Sequence, residues 1–164
     1  MNAPRTSESS PLQFAEIAVG DKGGYLGLTI CPGKIDAAQR WMRDLHRDVD
    51  EIKEWGASTV VTLIEDHEFR LLKVENLESE VRQSKMQWIH LPITDVSVPD
   101  HRFEVAWKTQ GKEIHRRLDA GERILIHCRG GLPRGRVLCI TVSISRLRVT
   151  FRVRLDAIAW FRLR

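Results

Sequence analysis

Apolar residues along this chain follow two rhythms, and the two divide it into strands and helices. Tyr25-Leu26-Gly27-Leu28-Thr29-Ile30 is a short apolar run closed by Pro32-Gly33, the pattern of a buried strand that ends in a turn. Thr59–Ile64, Trp88–Ile93 and Ile124–Ile126 predict three more. Between them the period lengthens. Over Ala37–Trp55 the apolar positions Trp41, Leu45, Val49, Ile52 and Trp55 recur at three- and four-residue steps and stop at Gly56, which predicts an amphipathic helix. Asn76–Ser84 predicts a more polar helix, and Phe103, Trp107, Gly111, Ile114 and Leu118 predict a longer one that ends near Gly121. Strands that alternate with helices, each strand almost uniformly apolar, indicate an α/β domain with a mostly parallel central sheet flanked by helices. Trp41, Trp55, Trp88 and Trp107 occupy apolar positions of this pattern and are expected in its core. The first ten residues are polar and rich in serine, so residues 1–22 are expected to be a flexible segment ahead of one domain spanning 23–164.

Composition narrows the chemistry. The net charge of +4 is unevenly placed: residues 134–164 carry eight arginines against one acid, Asp156, which outweighs the excess of acids in residues 1–133. No run approaches the length of a membrane span, and MNAPRTSESSPLQ lacks the basic and apolar regions of a signal peptide. A cytoplasmic protein with no membrane partner is expected. Cys31, Cys128 and Cys139 show no CxxC spacing, so reduced thiols are expected rather than a disulfide framework or a zinc site.

One segment, ILIHCRGGLPRG, combines the ingredients of a reactive thiol. A strand delivers Cys128 to the carboxyl edge of a parallel sheet, where α/β folds place ligands. The loop that follows, Arg129-Gly130-Gly131-Leu132, has two glycines that let backbone N–H groups turn inward around an anion, and Arg134 closes it. Such a loop, a helix N-terminus behind it and the Arg134 guanidinium would favour the Cys128 thiolate. The same donors would bind a phosphoryl group, Arg134 gripping two of its oxygens as a fork. Attack by sulfur would form a cysteinyl-phosphate, and the leaving oxygen would need a proton from a carboxylic acid on another loop. Asp95 and Asp100 both stand on such a loop, after the Trp88–Ile93 strand. No metal or other cofactor is needed for this chemistry. His127 precedes the cysteine, but neighbouring strand residues face opposite sides, so an orienting or structural role is expected for it.

HCRGGLPR resembles the HCxxGxxR signature of cysteine-dependent protein phosphatases. With LGLTICPGK (26–34), WGAS (55–58), VVTLIEDHE (60–68) and HLPITDVSVPD (90–100), the chain resembles the cyclin-dependent kinase inhibitor 3, or kinase-associated phosphatase, family across residues 23–132. That resemblance implies a dual-specificity phosphatase fold and hydrolysis of phosphotyrosine and phosphoserine or phosphothreonine in proteins. It implies Cys128 as nucleophile, Arg134 as phosphate ligand and Asp95, the aspartate of the HxPIxD segment, as general acid, ahead of Asp100. A phosphorylated protein is the expected partner of a monomeric enzyme.

The pattern changes after residue 132. Pro133 stands where the family has glycine, which removes one loop N–H, and a lost hydrogen bond to a charged group costs about 1.5–3 kcal/mol. Gly135 offers no hydroxyl to the thiolate. Further on, Leu147, Val149, Phe151, Val153 and Leu155 alternate with polar residues, a strand rhythm where the resemblance calls for a helix. Residues 133–155 therefore read as an atypical segment translated out of frame, and the basic end marks that departure rather than a nucleic-acid partner. A phosphatase-like protein that binds phosphoproteins or acidic partners without turnover is the alternative reading.

Overall fold

The computed structural model describes residues 3–19, 22–95, 97, 99–130, 134, 135, 138, 141 and 142. Five strands form the central sheet: β1 (Ala15–Val19), β2 (Gly24–Thr29), β5 (Ala57–Thr62), β6 (Gln87–His90) and β7 (Arg123–His127). A short hairpin, β3 (Ile35–Asp36) with β4 (Trp41–Met42), lies apart from it, and α1 (Leu45–Glu54), α2 (Asp66–Leu71), α3 (Leu77–Gln83) and α4 (His101–Asp119) complete the described elements. The sheet order is β1-β2-β7-β5-β6, with β1 antiparallel to β2 and every other pair parallel. This is the mostly parallel α/β sheet that the apolar runs predict. Among the described residues no helix is long and apolar enough to cross a membrane.

Alternate residues of the central strands bury into two different layers, because successive side chains of a strand face opposite ways. Leu26, Leu28, Ile124 and Ile126 pack with Phe103, Ile114 and Leu118 of α4 on one face. Leu125 and Val60 pack with Val49 and Ile52 of α1 and Leu77 and Val81 of α3 on the other. β7 sits between β2 and β5 and is covered on both faces. Its carboxyl end is consequently held by two neighbouring strands and two apolar layers.

Four expectations need correction. The segment 1–22 is not uniformly free: Ala15–Val19 forms β1, Leu12 joins the core, and the Leu12 N–H donates to Glu51. The helix expected from Ala37 begins at Leu45, because Asp44 caps it through the Arg47 N–H. Residues 37–42 instead close the β3–β4 hairpin, pinned from outside by the Arg5 N–H on the Arg40 carbonyl and the Met42 N–H on the Arg5 carbonyl. The spacing from Trp41 to Leu45 mimicked a helical turn without being one. Trp55, Trp88 and Trp107 are half-buried and packed against the core rather than inside it, and Trp41 is half-buried on the β3–β4 hairpin. Finally, Arg134, Gly135, Leu138, Thr141 and Val142 are helical, with Leu138 and Val142 in the α4-side core, so the strand rhythm does not govern the residues just after the loop. The alternating positions 147–155 lie outside the described residues.

Candidate active site

Parallel pairing brings three chain segments to one edge of the sheet. His127 is in register with Thr29 of β2 and with Thr62 of β5, so Cys128 emerges beside the turn after β2 and the loop after β5. Cys128 is buried. His127 is fully enclosed, and burial pushes its imidazole down to about 3, so the ring is neutral at physiological pH. Its Nε2 lies 2.8 Å from the Thr62 hydroxyl, which also accepts a hydrogen bond from Trp88 Nε1. This pairing holds the ring under the strand, the structural role expected for it.

The Arg134 guanidinium is almost completely buried and its donors are tightly committed. Nη1 and Nη2 make a bidentate pair with Glu68, at 2.5 and 2.8 Å, and Nη1 also faces the carbonyls of Leu63 and Ile93. Nε donates to Asp95 Oδ1 at 3.1 Å. Burial alone would push the Glu68 carboxyl up, but the hydrogen bonds and charge of Arg134 outweigh it and hold Glu68 below the usual carboxylate range. For Arg134 burial acts downward, and the Glu68 contact with the Asp95 and Cys128 charges raises it above its ordinary value. The fork expected to face a phosphate thus points its outer edge at Glu68. What remains is the Nε side, where Asp95 sits with its side chain about half exposed.

The other flank is built on the Pro32-Gly33 turn. Gly33 has φ +69, and a Cβ there would lie 2.6 Å from that of Leu45, so glycine alone fits. Its N–H donates to Asp48, which also holds Arg43 in a buried bidentate pair. The turn aims Lys34 under the loop, where its ammonium donates to the Arg129 carbonyl at 3.1 Å and to Gln39 Oε1 at 2.9 Å. Arg129 in turn reaches Asp36 Oδ2 at 3.1 Å. Burial lowers Lys34 from the ordinary lysine range, against the pull of Asp36.

Cys128, Arg134 and Asp95 are therefore brought together, with Arg129 and Gly130 following the cysteine. Gly131, Leu132, Pro133 and Cys139 lie outside the described residues. Asp100 is elsewhere in its loop: it caps α4 through the Arg102 and Phe103 N–H groups and pairs with the Arg102 side chain, which lowers its carboxyl and suits it poorly to donating a proton. Cys31 is fully buried, and burial pushes its thiol far up, as fits a packing residue. Glu68, Lys34 and Asp36 carry much of the site's electrostatics and were not singled out by the sequence reading. All three lie in or just beyond the stretches that carry the family resemblance. Their signal was charge beside an apolar strand end, which only burial makes unusual.

A mostly parallel sheet whose central strand runs into His127-Cys128, flanked by helices, is the phosphatase fold. The structure matches that of kinase-associated phosphatase with its catalytic-site cysteine replaced by serine, at TM-score 0.74 and 22% identity over 93% of this chain and 83% of that one. It also matches Tk-PTP in the active form, at TM-score 0.59 and 21% identity over 94% and 86%. The family model of cyclin-dependent kinase inhibitor 3 matches residues 2–150, and the chain belongs to that family. The match is wider than the 23–132 stretch that holds the recognisable motifs. Cyclin-dependent kinase inhibitor 3 of Mus musculus is 29% identical over 145 residues, and that of Rattus norvegicus 27% over 146. Each alignment covers 87% of this chain, which spans 66% of the relative's length.

Proposed function

We propose that this protein is a phosphatase of phosphorylated proteins that works through a cysteinyl-phosphate, accepting phosphotyrosine and phosphoserine or phosphothreonine. Arg134 carries the reading: a buried guanidinium six residues after Cys128 is fixed along its outer edge by Glu68 and turns its Nε to Asp95. Substrate phosphate would take the place of the Asp95 carboxylate at Nε, so binding frees Asp95 at the moment a proton is needed. Released from Arg134, the Asp95 carboxylate takes up a proton from solvent; the Cys128 thiolate attacks phosphorus, the bond to the ester oxygen breaks, and protonated Asp95 gives its proton to that oxygen. Water next attacks the phosphorus of the cysteinyl-phosphate, Asp95 takes its proton, and the S–P bond breaks to release phosphate and return the Cys128 thiolate. His127 stays neutral throughout and holds the strand end in place. The relatives are named for inhibition of a cyclin-dependent kinase and the matching structure for association with a kinase, so a phosphorylated protein kinase is one substrate class to test.

A second reading is a phosphoprotein-binding protein without turnover, favoured by Pro133, which withholds one loop N–H from the anion. One assay separates the two. The purified chain should hydrolyse an aryl phosphate and a phosphopeptide with inhibition by vanadate, and Cys128→Ser should abolish turnover while retaining phosphopeptide binding. Folded protein that binds phosphopeptide with no turnover establishes the second reading. Folded protein that does neither overturns both.

A further inference from the structure

Beside the loop that follows Cys128 lies an open groove of about 690 Å³, lined by Arg5, Lys34, Gln39, Arg40 and Trp41 and continuous with Gly130. Among the described residues no carboxylate lines it. Two neighbouring carboxylates are already matched: Asp36 faces Arg129, and Asp48 takes Nε and Nη2 of Arg43, whose Nη1 donates to the Ser10 carbonyl. Lys34 is fully buried, yet the partners it meets at hydrogen-bond distance are two neutral oxygens. A buried ammonium without an anion at contact distance is costly, and an anion arriving nearby relieves it.

The groove is also preassembled. The Arg5 guanidinium lies 3.9 Å from the Trp41 ring centroid and donates to the Gln39 carbonyl, so it is held over the opening. The left-handed turn at Arg40, φ +56, reverses the hairpin and sets Arg40 on the same rim. A free surface arginine loses much side-chain entropy on binding; one already stacked loses less.

We infer that this groove is a second anion subsite, which binds a carboxylate or phosphate on a residue neighbouring the phosphorylated one in a protein substrate. The inference rests on the proposed phosphatase reading for where the first phosphate sits. Gly130 forms part of the groove wall and the Lys34 ammonium holds the carbonyl of the preceding loop residue, so the two anions would be bound side by side across one stretch of backbone. The subsite makes the enzyme selective for acidic or multiply phosphorylated sequences, and it does so with residues outside the thiol chemistry.

The test compares kcat/KM for three phosphopeptides that share one phosphorylated residue and differ only in flanking positions: alanine, glutamate or a second phosphoserine. An exposed to half-buried ion pair of this kind is worth about 1 kcal/mol, so the glutamate or diphosphorylated peptide should be favoured about fivefold. The preference should vanish in the Arg5→Glu/Arg40→Glu variant and persist in Arg5→Lys, while hydrolysis of a plain aryl phosphate stays unchanged in both. Gain with glutamate identifies acidic sequences, and gain with phosphoserine alone identifies multiply phosphorylated ones. Equal rates for all three peptides, or a preference that survives charge reversal, overturns the inference. Binding of the same peptides to Cys128→Ser reads the subsite independently of turnover, so failure of the phosphatase reading and failure of the groove give different results.

Discussion

The two flanks of the Cys128 loop handle positive charge in opposite ways. On the Arg134 side the guanidinium is enclosed by Glu68, Asp95 and two carbonyls, and on the Lys34 side a buried ammonium meets two neutral oxygens beside a groove that, among the described residues, no carboxylate lines. Balanced charge makes a fixed part of the protein, since removing either partner exposes the other to a buried, unpaired state. Unbalanced charge makes a place for a ligand, because the missing anion must come from outside.

The sharpest break of this comparison is Glu68→Ala. It leaves Arg134 buried and unpaired, so it should cost about 3–5 kcal/mol of stability, seen as a lower urea midpoint, together with loss of turnover. A cost near that of a surface substitution would mean that Arg134 does not depend on the pair. Asp95→Asn comes next. Asp95 is about half exposed, so stability should move by less than about 1 kcal/mol, while turnover of an alkyl phosphopeptide should fall about 10²-fold or more and that of an aryl phosphate with a good leaving group should fall less. Equal losses for both substrates would argue against proton donation by this residue.

Acid should weaken the balanced side in two stages. The folded protein holds His127 at about 3, while the unfolded chain takes up that proton near 6.5, so stability rises with pH between those values, by at most about 1.4 kcal/mol per pH unit. Glu68 is depressed in the fold, so the stability it contributes is fully present above its ordinary pKa and is lost as pH falls through its folded value. Urea titrations at a series of pH values should show both losses, and His127→Gln should flatten the upper one alone. The smallest effect is expected on the unbalanced side. Lys34→Met removes a buried charge that lacks an anion, so stability should stay within about 1 kcal/mol of the parent or rise, while selectivity for acidic peptides drops. A loss as large as that of Glu68→Ala would erase the distinction between the flanks.

Much of this was legible in the chain. The apolar runs place β2, β5, β6 and β7, and the burial of both faces of β7 is the physical reason its run, Ile124-Leu125-Ile126, lacks polar alternation. The position of Cys128 at the strand end follows from the same run, and Asp95 from its place in the HLPITD stretch. β1 was not legible because it is a short edge strand with no buried residue, and the β3–β4 hairpin because a contact made far along the chain, Arg5 with Arg40, holds it. Trp41 kept helical spacing with Leu45 although Asp44 starts the helix after it.

Local pattern decided which segments are strands, which residue stands where β7 ends, and which arginine closes the loop, since each depends on a few neighbouring residues. Only the folded chain decided that Glu68 rather than a ligand holds the outer edge of Arg134, that Asp100 caps a helix while Asp95 meets the guanidinium, and that Arg5 and Lys34 share a groove. Apart from the local Asp100 cap, those choices join residues separated by tens of positions, and the low dielectric of burial sets their strength; a linear pattern carries neither the distance nor the burial.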